Sequence, residues 1–409
     1  MNDTGTVLVL IWIGVVMAGI AVGRVPGLRM NRASIALVGA VGLLLAGVLS
    51  PGDAVAAVDF HTLALLFGMM VLNVNLRLAG FFRLLAARVL RIARTPRQLL
   101  ALVVLSSGLL SGLFLNDTIV LMFTPFVLEL LTALERRPLP YLVALMTAAN
   151  AGSVATVVGN PQNMLIGMAS GMDIGQFTLI LIVPALLALV IIWLVVQGIY
   201  RDDFRTERLI VPAPRRVRTY RPLLRKSLFA SFVLVAALAA GLPVALAALG
   251  AASLLLVTRR LRPERVFWEI DWTLLVFFAG LFVVTAALHQ GPAGEWWRAI
   301  AEAGTGSLTS LTLTSVLLSN IVSNVPAVLL LAPLMESGAD PILFWCTLAM
   351  ATTFAGNLTL LGSVANMIVA ETAAGAGVRI GFGAFLRAGV PITLLTVSAG
   401  LAWMLFLAM

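Results

Sequence analysis

The 409-residue chain has one cysteine, two histidines and a single lysine, and only 11% of its residues are charged. Each scarcity excludes something. A lone Cys346 offers neither an intrachain disulfide nor a thiol-rich metal site. His61 and His289 are too few for a multi-histidine metal centre. No GxxxxGK[ST] stretch occurs, so the chain has no P-loop with which to grip ATP and drive work directly. No Ser/His/Asp set or pair of catalytic carboxylates can be assembled from so few titratable residues, which argues against a membrane-embedded enzyme. Soluble domains carry about 25% charged residues, so the shortage of charge already points to lipid as the surroundings.

Hydrophobic residues fill 61% of the positions. Thr6–Gly23, Ala33–Leu49, Phe177–Ile199 and Ala384–Met409 are apolar runs that approach or exceed the roughly 20 residues a bilayer crossing needs. The expected class is an all-α, polytopic protein of the cell (inner) membrane. The first run has no basic n-region or clear cleavage site and is read as a retained span. The net charge of +9 is no nucleic-acid footprint, because the arginines cluster in Arg24–Arg32, Arg77–Arg97, Arg201–Lys226 and Arg259–Arg265, between apolar runs. Cytoplasmic loops carry such charge. The bilayer is the expected partner, and no nucleic acid is.

Placing those loops inside puts the N-terminus outside. Residues 1–199 then form one half, with a hairpin at 99–134 and an interrupted helix at 141–173. Residues 200–227, with nine basic and three acidic side chains, form a cytoplasmic linker. Residues 228–409 form a second half that starts on the opposite side, with a hairpin at 308–335 and an interrupted helix at 344–372. Weak internal similarity agrees with such inverted repeats. NDTIVLMFTP (116–125) and NVPAVLLLAP (324–333) share an Asn nine residues before a Pro, and GNPQNMLI (159–166) aligns with GSVANMIV (362–369). The expected architecture is about ten spanning helices, two re-entrant hairpins and two broken helices.

The polar interruptions carry the chemistry. In hydrocarbon every backbone N–H and C=O needs an internal partner. Gly159-Asn160-Pro161 reads as one helix ending and another beginning, with Asn160 as N-cap, Pro161 in the first helical position and Asn163 in the first turn. Gly362, Ser363 and Asn366 repeat that grammar. A helix start at mid-membrane depth presents free N–H groups and a positive dipole end, a cradle for anions. An ordinary extramembrane turn is the alternative, but the piece after the first break is only about 14 Å long, short of the roughly 30 Å core.

Asn116-Asp117-Thr118 is the other interruption, with Ser319-Asn320 and Ser323-Asn324 as its counterpart. A carboxylate set between long apolar runs is a functional-site candidate by default. The leg after Ser323-Asn324 is about 16 Å as a helix, so a re-entrant hairpin fits there. The legs around Asp117 are longer, and two full spans joined by an outer turn remain the alternative. Asn73 and Asn75 are read as flanking a span end, Asp271, Trp272 and both histidines as interfacial, Glu129 and Glu371 as lying near helix ends, and no Arg or Lys is expected in the site.

These residues resemble the ion-transporter superfamily of arsenite permeases, citrate transporters, divalent-anion:sodium symporters and some sodium/proton antiporters. The resemblance rests on Asn116-Asp117-Thr118 and Ser323-Asn324-Val325, where the symporters carry Ser-Asn-Thr hairpin tips, and on AGSVATVVGNPQN (151–163) and AGNLTLLGSVAN (355–366). It implies a substrate held between two tips and two helix breaks, a scaffold with a moving transport domain, and a homodimer. Asp117 in the first tip resembles the arsenite-permease branch and allows proton coupling, whereas Val325 replaces an expected Thr hydroxyl. The expected function is secondary-active transport of a small anion, an inorganic oxyanion or a di- or tricarboxylate, by alternating access with H+ or Na+ as coupling ion and no cofactor. A sodium/proton antiporter on the same fold is the alternative. The expected site comprises Asn116, Asp117, Thr118, Gly159, Asn160, Asn163, Ser323, Asn324, Gly362, Ser363 and Asn366.

Overall fold

A computed structural model describes residues 3–23, 25, 27–90, 92–205, 209, 219–258, 262–337 and 340–409. Much of the basic linker, including Arg208, Arg215, Arg216 and Arg218, lies outside the described residues. Among the described residues there are twenty α-helices and no strands. The first ten are α1 (Asp3–Val22), α2 (Arg32–Leu45), α3 (Pro51–Ala57), α4 (Phe60–Leu78), α5 (Phe81–Leu90), α6 (Pro96–Leu113), α7 (Asn116–Ala133), α8 (Pro138–Ser153), α9 (Pro161–Ala169) and α10 (Ile174–Ile199). They are followed by α11 (Arg221–Ala239), α12 (Val244–Leu256), α13 (Pro263–Trp268), α14 (Trp272–His289), α15 (Gly291–Thr305), α16 (Leu308–Val322), α17 (Asn324–Leu331), α18 (Pro341–Ala355), α19 (Val364–Gly375) and α20 (Phe382–Leu407).

Helix starts follow local chemistry. Thr95 accepts from the Gln98 amide with Pro96 in the first position of α6, and Asp340 accepts from the Leu343 amide with Pro341 in the first position of α18. A proline there gives up an N–H that the helix would leave unpaired anyway. Seven helices among the described residues (α4, α6, α7, α10, α11, α14 and α20) are long and apolar enough to cross a membrane. On α10, Leu179, Ile182, Leu186, Val190 and Leu194 form an exposed apolar stripe, and Leu228, Phe229, Phe232 and Val235 do the same on α11. Water would penalise such surfaces and lipid does not. The chain is a multi-pass membrane protein.

The helices sort into two units. In the central unit α6 lies along α8 and α16 along α18, α10 packs on α20, and α7 rests on α8 and α19. In the outer unit α2 lies along α14, α4 along α12, α11 against both α4 and α12, and α1 against α2. The same pairings recur across the two halves of the chain. Close approach within the central unit depends on missing side chains: a Cβ on Gly152 would stand 2.0 Å from the Gly108 carbonyl oxygen. The seam between the units runs where α4 meets α9 and α14 meets α17.

Candidate functional site

The first break spans residues 154–160, between α8 and α9, and Asn160 opens α9 as a side-chain cap, accepting from the Asn163 amide at 2.8 Å. Asn163 then turns back: its Nδ2 donates to the carbonyls of Ser153 (3.1 Å), Val154 (3.3 Å) and Thr156 (3.0 Å). Carbonyls freed at the end of α8 are thereby paired without water. The second break repeats the device. Asn366 Nδ2 donates to the carbonyls of Gly356 (2.8 Å) and Thr359 (3.2 Å). Ser363 occupies the cap position of α19 but makes no capping bond; its hydroxyl donates instead to Asn150 Oδ1 at 3.0 Å.

Each hairpin tip leans on a break. Between α6 and α7 the Asn116 backbone N–H donates to the Gly159 carbonyl at 3.0 Å. A Cβ on Gly159 would meet the Ser153 carbonyl oxygen at 2.3 Å and that of Ser111 at 2.9 Å, so the contact needs glycine. At the second tip, Asn324, with its amide oriented by its neighbours, donates to Ser319 Oγ (2.6 Å) and to the Thr352 and Gly362 carbonyls (3.3 Å each). It accepts from Gln162 Nε2 at 3.1 Å. Ser323, between α16 and α17, holds φ at 81° with ψ at 160°, a region natural to glycine alone.

Five polar residues outside the eleven-residue expected site join these parts. Asn150 Oδ1 accepts from Asn116 Nδ2 (3.1 Å), and its Nδ2 donates to Asn357 Oδ1 (2.9 Å) and Asn366 Oδ1 (3.1 Å). Thr353 Oγ1 accepts from Asn160 Nδ2 (3.3 Å) and Gln162 Nε2 (3.2 Å). Ser319 completes the set through Asn324. One signal was available: Asn150 precedes Ala151-Gly152 and Asn357 follows Ala355-Gly356, so an amide flanks the same small pair in both halves.

A cavity of about 190 Å³ opens beside this network, at the seam. Its wall includes Asn73, Arg77, Asp117, Thr118, Glu269 and Asp271, with Pro161 and Val364 beside them. Of the eleven expected site residues, only Asp117 and Thr118 line it. Most of the others hold the tips and breaks in place through the bonds given above. Arg77, ion-paired to Glu269, also stands in this wall. So do Asn73, read from the sequence as flanking a span end, and Asp271, read as interfacial; α4 brings Asn73 here by packing on α9.

The starts of α7, α9, α14 and α19 all reach this wall, at Asp117, Pro161, Leu274 and Val364. Each contributes roughly half a positive charge, about two in all. Against them stand the carboxylates of Asp117 and Asp271, while Arg77 and Glu269 cancel one another. The cavity is therefore close to electrically balanced when both aspartates are ionised.

Comparison with known proteins places this architecture. A family model described as citrate transporter matches residues 7–340. The rice silicon efflux transporter LSI3 is 32% identical, with 95% of this chain and 97% of that protein aligned. The putative transporter arsB of Dictyostelium discoideum is 23% identical over 91% of this chain and 87% of its own length. Among solved structures, the YdaH transporter of Alcanivorax borkumensis superposes with a TM-score of 0.59 at 15% identity, covering 99% of this chain and 98% of that one, a likeness of fold.

Proposed function

The chain belongs to the citrate transporter family, and on that premise we propose that it is a secondary-active transporter of a small anion, an inorganic oxyanion or a di- or tricarboxylate, coupled to H+ or Na+. The observation that carries this reading is the cavity at the seam, where Asp117 faces a space ringed by four helix starts. Helix starts supply fixed N–H dipoles for the anion, and Asp117 is the group whose neutralisation admits it. The relatives' names, silicon efflux and arsB, favour small oxyacids within that class.

Alternating access follows from the two units. The central unit carries both hairpins and both broken helices as one hydrogen-bonded body, and its movement against the outer unit would carry Asp117 from one face to the other. In this reading α6–α7 and α16–α17 are re-entrant hairpins of inverted repeats. At 18 residues α6 is about 27 Å long, against about 39 Å for the 26 residues of α10. With the basic loops in the cytoplasm and the N-terminus outside, the cavity opens inward, since Arg77 lies at the end of α4 that leads to Arg83 and Arg88. The membrane is the cell (inner) membrane.

A sodium/proton antiporter is a second reading, favoured by the two unpaired carboxylates in one cavity. Purified protein in proteoliposomes separates the two. Imposed proton or sodium gradients should drive accumulation of at least one of arsenite, silicate, citrate, succinate or sulfate. Sodium-driven proton release with no response to any of them would replace the anion reading by the antiporter.

A further inference from the structure

The outer unit repeats itself along the chain at one fixed offset. It relates Gly68 on α4 to Gly280 on α14, and Ala36 on α2 to Ala248 on α12. A Cβ on Gly68 would stand 2.7 Å from the Ala248 backbone, and one on Gly280 2.8 Å from that of Ala36. Asp59 and Asp271, at the same offset, cap the starts of α4 and α14. Carried further along, the offset pairs Asn73 with Thr285 and Arg77 with His289. Arg77 lines the cavity. His289 ends α14 about 22 Å beyond the cavity residue Leu274, at 1.5 Å per residue, and so lies toward the opposite face.

The hairpin arms of the central unit supply matching acceptors. A helical carbonyl pairs with the N–H four residues on, and proline has none. Pro333 therefore leaves the Leu329 carbonyl of α17 without its helix donor, and Pro125 does the same to Leu121 in α7. Within hydrocarbon such a carbonyl needs another partner. Across the seam, His289 Nε2 donates to the Leu329 carbonyl at 3.4 Å; a carbonyl only accepts, so this nitrogen carries the proton. Trp297 Nε1, on α15, donates to the Leu330 carbonyl at 3.0 Å. Side chains of α14 and α15 thus hold α17 on the face away from the cavity. On the cavity side the equivalent parts stand apart. Leu121 and Arg77 both line the open space, and Arg77 is paired with Glu269 instead.

We propose that the two proline-freed carbonyls are alternating latch points: His289 and Trp297 hold α17 while the cavity is open, and Arg77 leaves Glu269 for the Leu121 carbonyl when the cavity closes. Inverted repeats exchange roles as such a molecule turns from one face to the other, so the closed half shows how the open half shuts. Two acceptors give Arg77 two discrete positions, which a two-state movement requires. The latches rest on the alternating-access reading of the two units.

The test reads both openings and needs no substrate. Purified protein in lipid nanodiscs, with Cys346→Ser, carries either Thr118→Cys or Thr285→Cys and reacts with a bulky polar maleimide. Thr285 is 4% exposed and lies one turn below His289 on the same helix face, so it becomes reachable when that latch opens. With the latches unaltered, Thr118→Cys should label faster than Thr285→Cys. His289→Phe with Trp297→Phe removes both donors and keeps the rings. It should speed Thr285→Cys by about fivefold or more and slow Thr118→Cys. Glu269→Gln, at an exposed residue, frees Arg77 and should shift both rates in the same directions, an effect that adding Arg77→Ala abolishes. Faster labelling at both positions, as loosening or unfolding gives, or no change at either, overturns the proposal. So does a Glu269→Gln shift that survives Arg77→Ala. Opposed shifts without anion transport in vesicles would leave the latches standing and sink the anion reading; anion transport without the opposed shifts would do the reverse.

Discussion

Asn160 and Asn163 divide between them the problem of starting a helix inside hydrocarbon. Asn160 caps the new helix and donates from Nδ2 to the Ser153 and Thr353 hydroxyls, while Asn163 gathers three carbonyls at the end of the old one. A lost cap costs about 1 kcal/mol, whereas buried carbonyls left without donors cost about 1–3 kcal/mol each. Asn163→Ala, which strips the Ser153 and Val154 carbonyls of that donor, should therefore destabilise the protein more than Asn160→Ala, as read by thermal unfolding in detergent. Equal shifts would mean that water fills in behind Asn163. Ser323 gives the opposite sign. Its φ of 81° strains the second tip by about 1–3 kcal/mol, so Ser323→Gly should raise the melting temperature. A fall would show that the hydroxyl outweighs the strain. The Gly-Asn-Pro order made Asn160 and Asn163 legible in the sequence, because cap, proline and first turn have fixed offsets. Ser323 was legible as polar but not as strained, since backbone conformation at a tip depends on what the tip leans against.

At the scale of elements, both hairpins and both breaks stand where polar motifs interrupt apolar runs, and the paired Asn–Pro and Gly–Asn–Met spacings mark them. What those motifs do was less legible. Ser363 has the sequence of a cap and spends its hydroxyl on Asn150, because the Asn150 oxygen lies within reach across the other half. Asn150 and Asn357 join the halves, yet a single amide in a buried helix does not disclose which neighbour it faces. The start of α7 gives the accessible probe. In a background with the buried Cys346 replaced by Ser, a cysteine at Thr118 should react with a membrane-impermeant thiol reagent from the cytoplasmic side and be protected by substrate. Reaction from the outer side alone, in every condition, would favour two full spans with Asp117 in an outer turn.

For the whole molecule, the proposed transport cycle rests on the division into a central and an outer unit, and that division was the least legible feature. Composition points to the membrane, and two motif pairs predict a repeated order of elements. Neither says that Asn73, Arg77 and Asp271 line one cavity with Asp117. Packing between distant segments decides those contacts. The central claim is that neutralising Asp117 at this seam ties anion movement to a cation gradient. The most direct measurement compares two fluxes in proteoliposomes bearing the unaltered protein or Asp117→Asn: accumulation of the anion under an imposed cation gradient, and gradient-free exchange of labelled for unlabelled anion. The account predicts that Asp117→Asn keeps exchange and loses accumulation by at least tenfold. Accumulation by Asp117→Asn at the rate and level of the unaltered protein would contradict it.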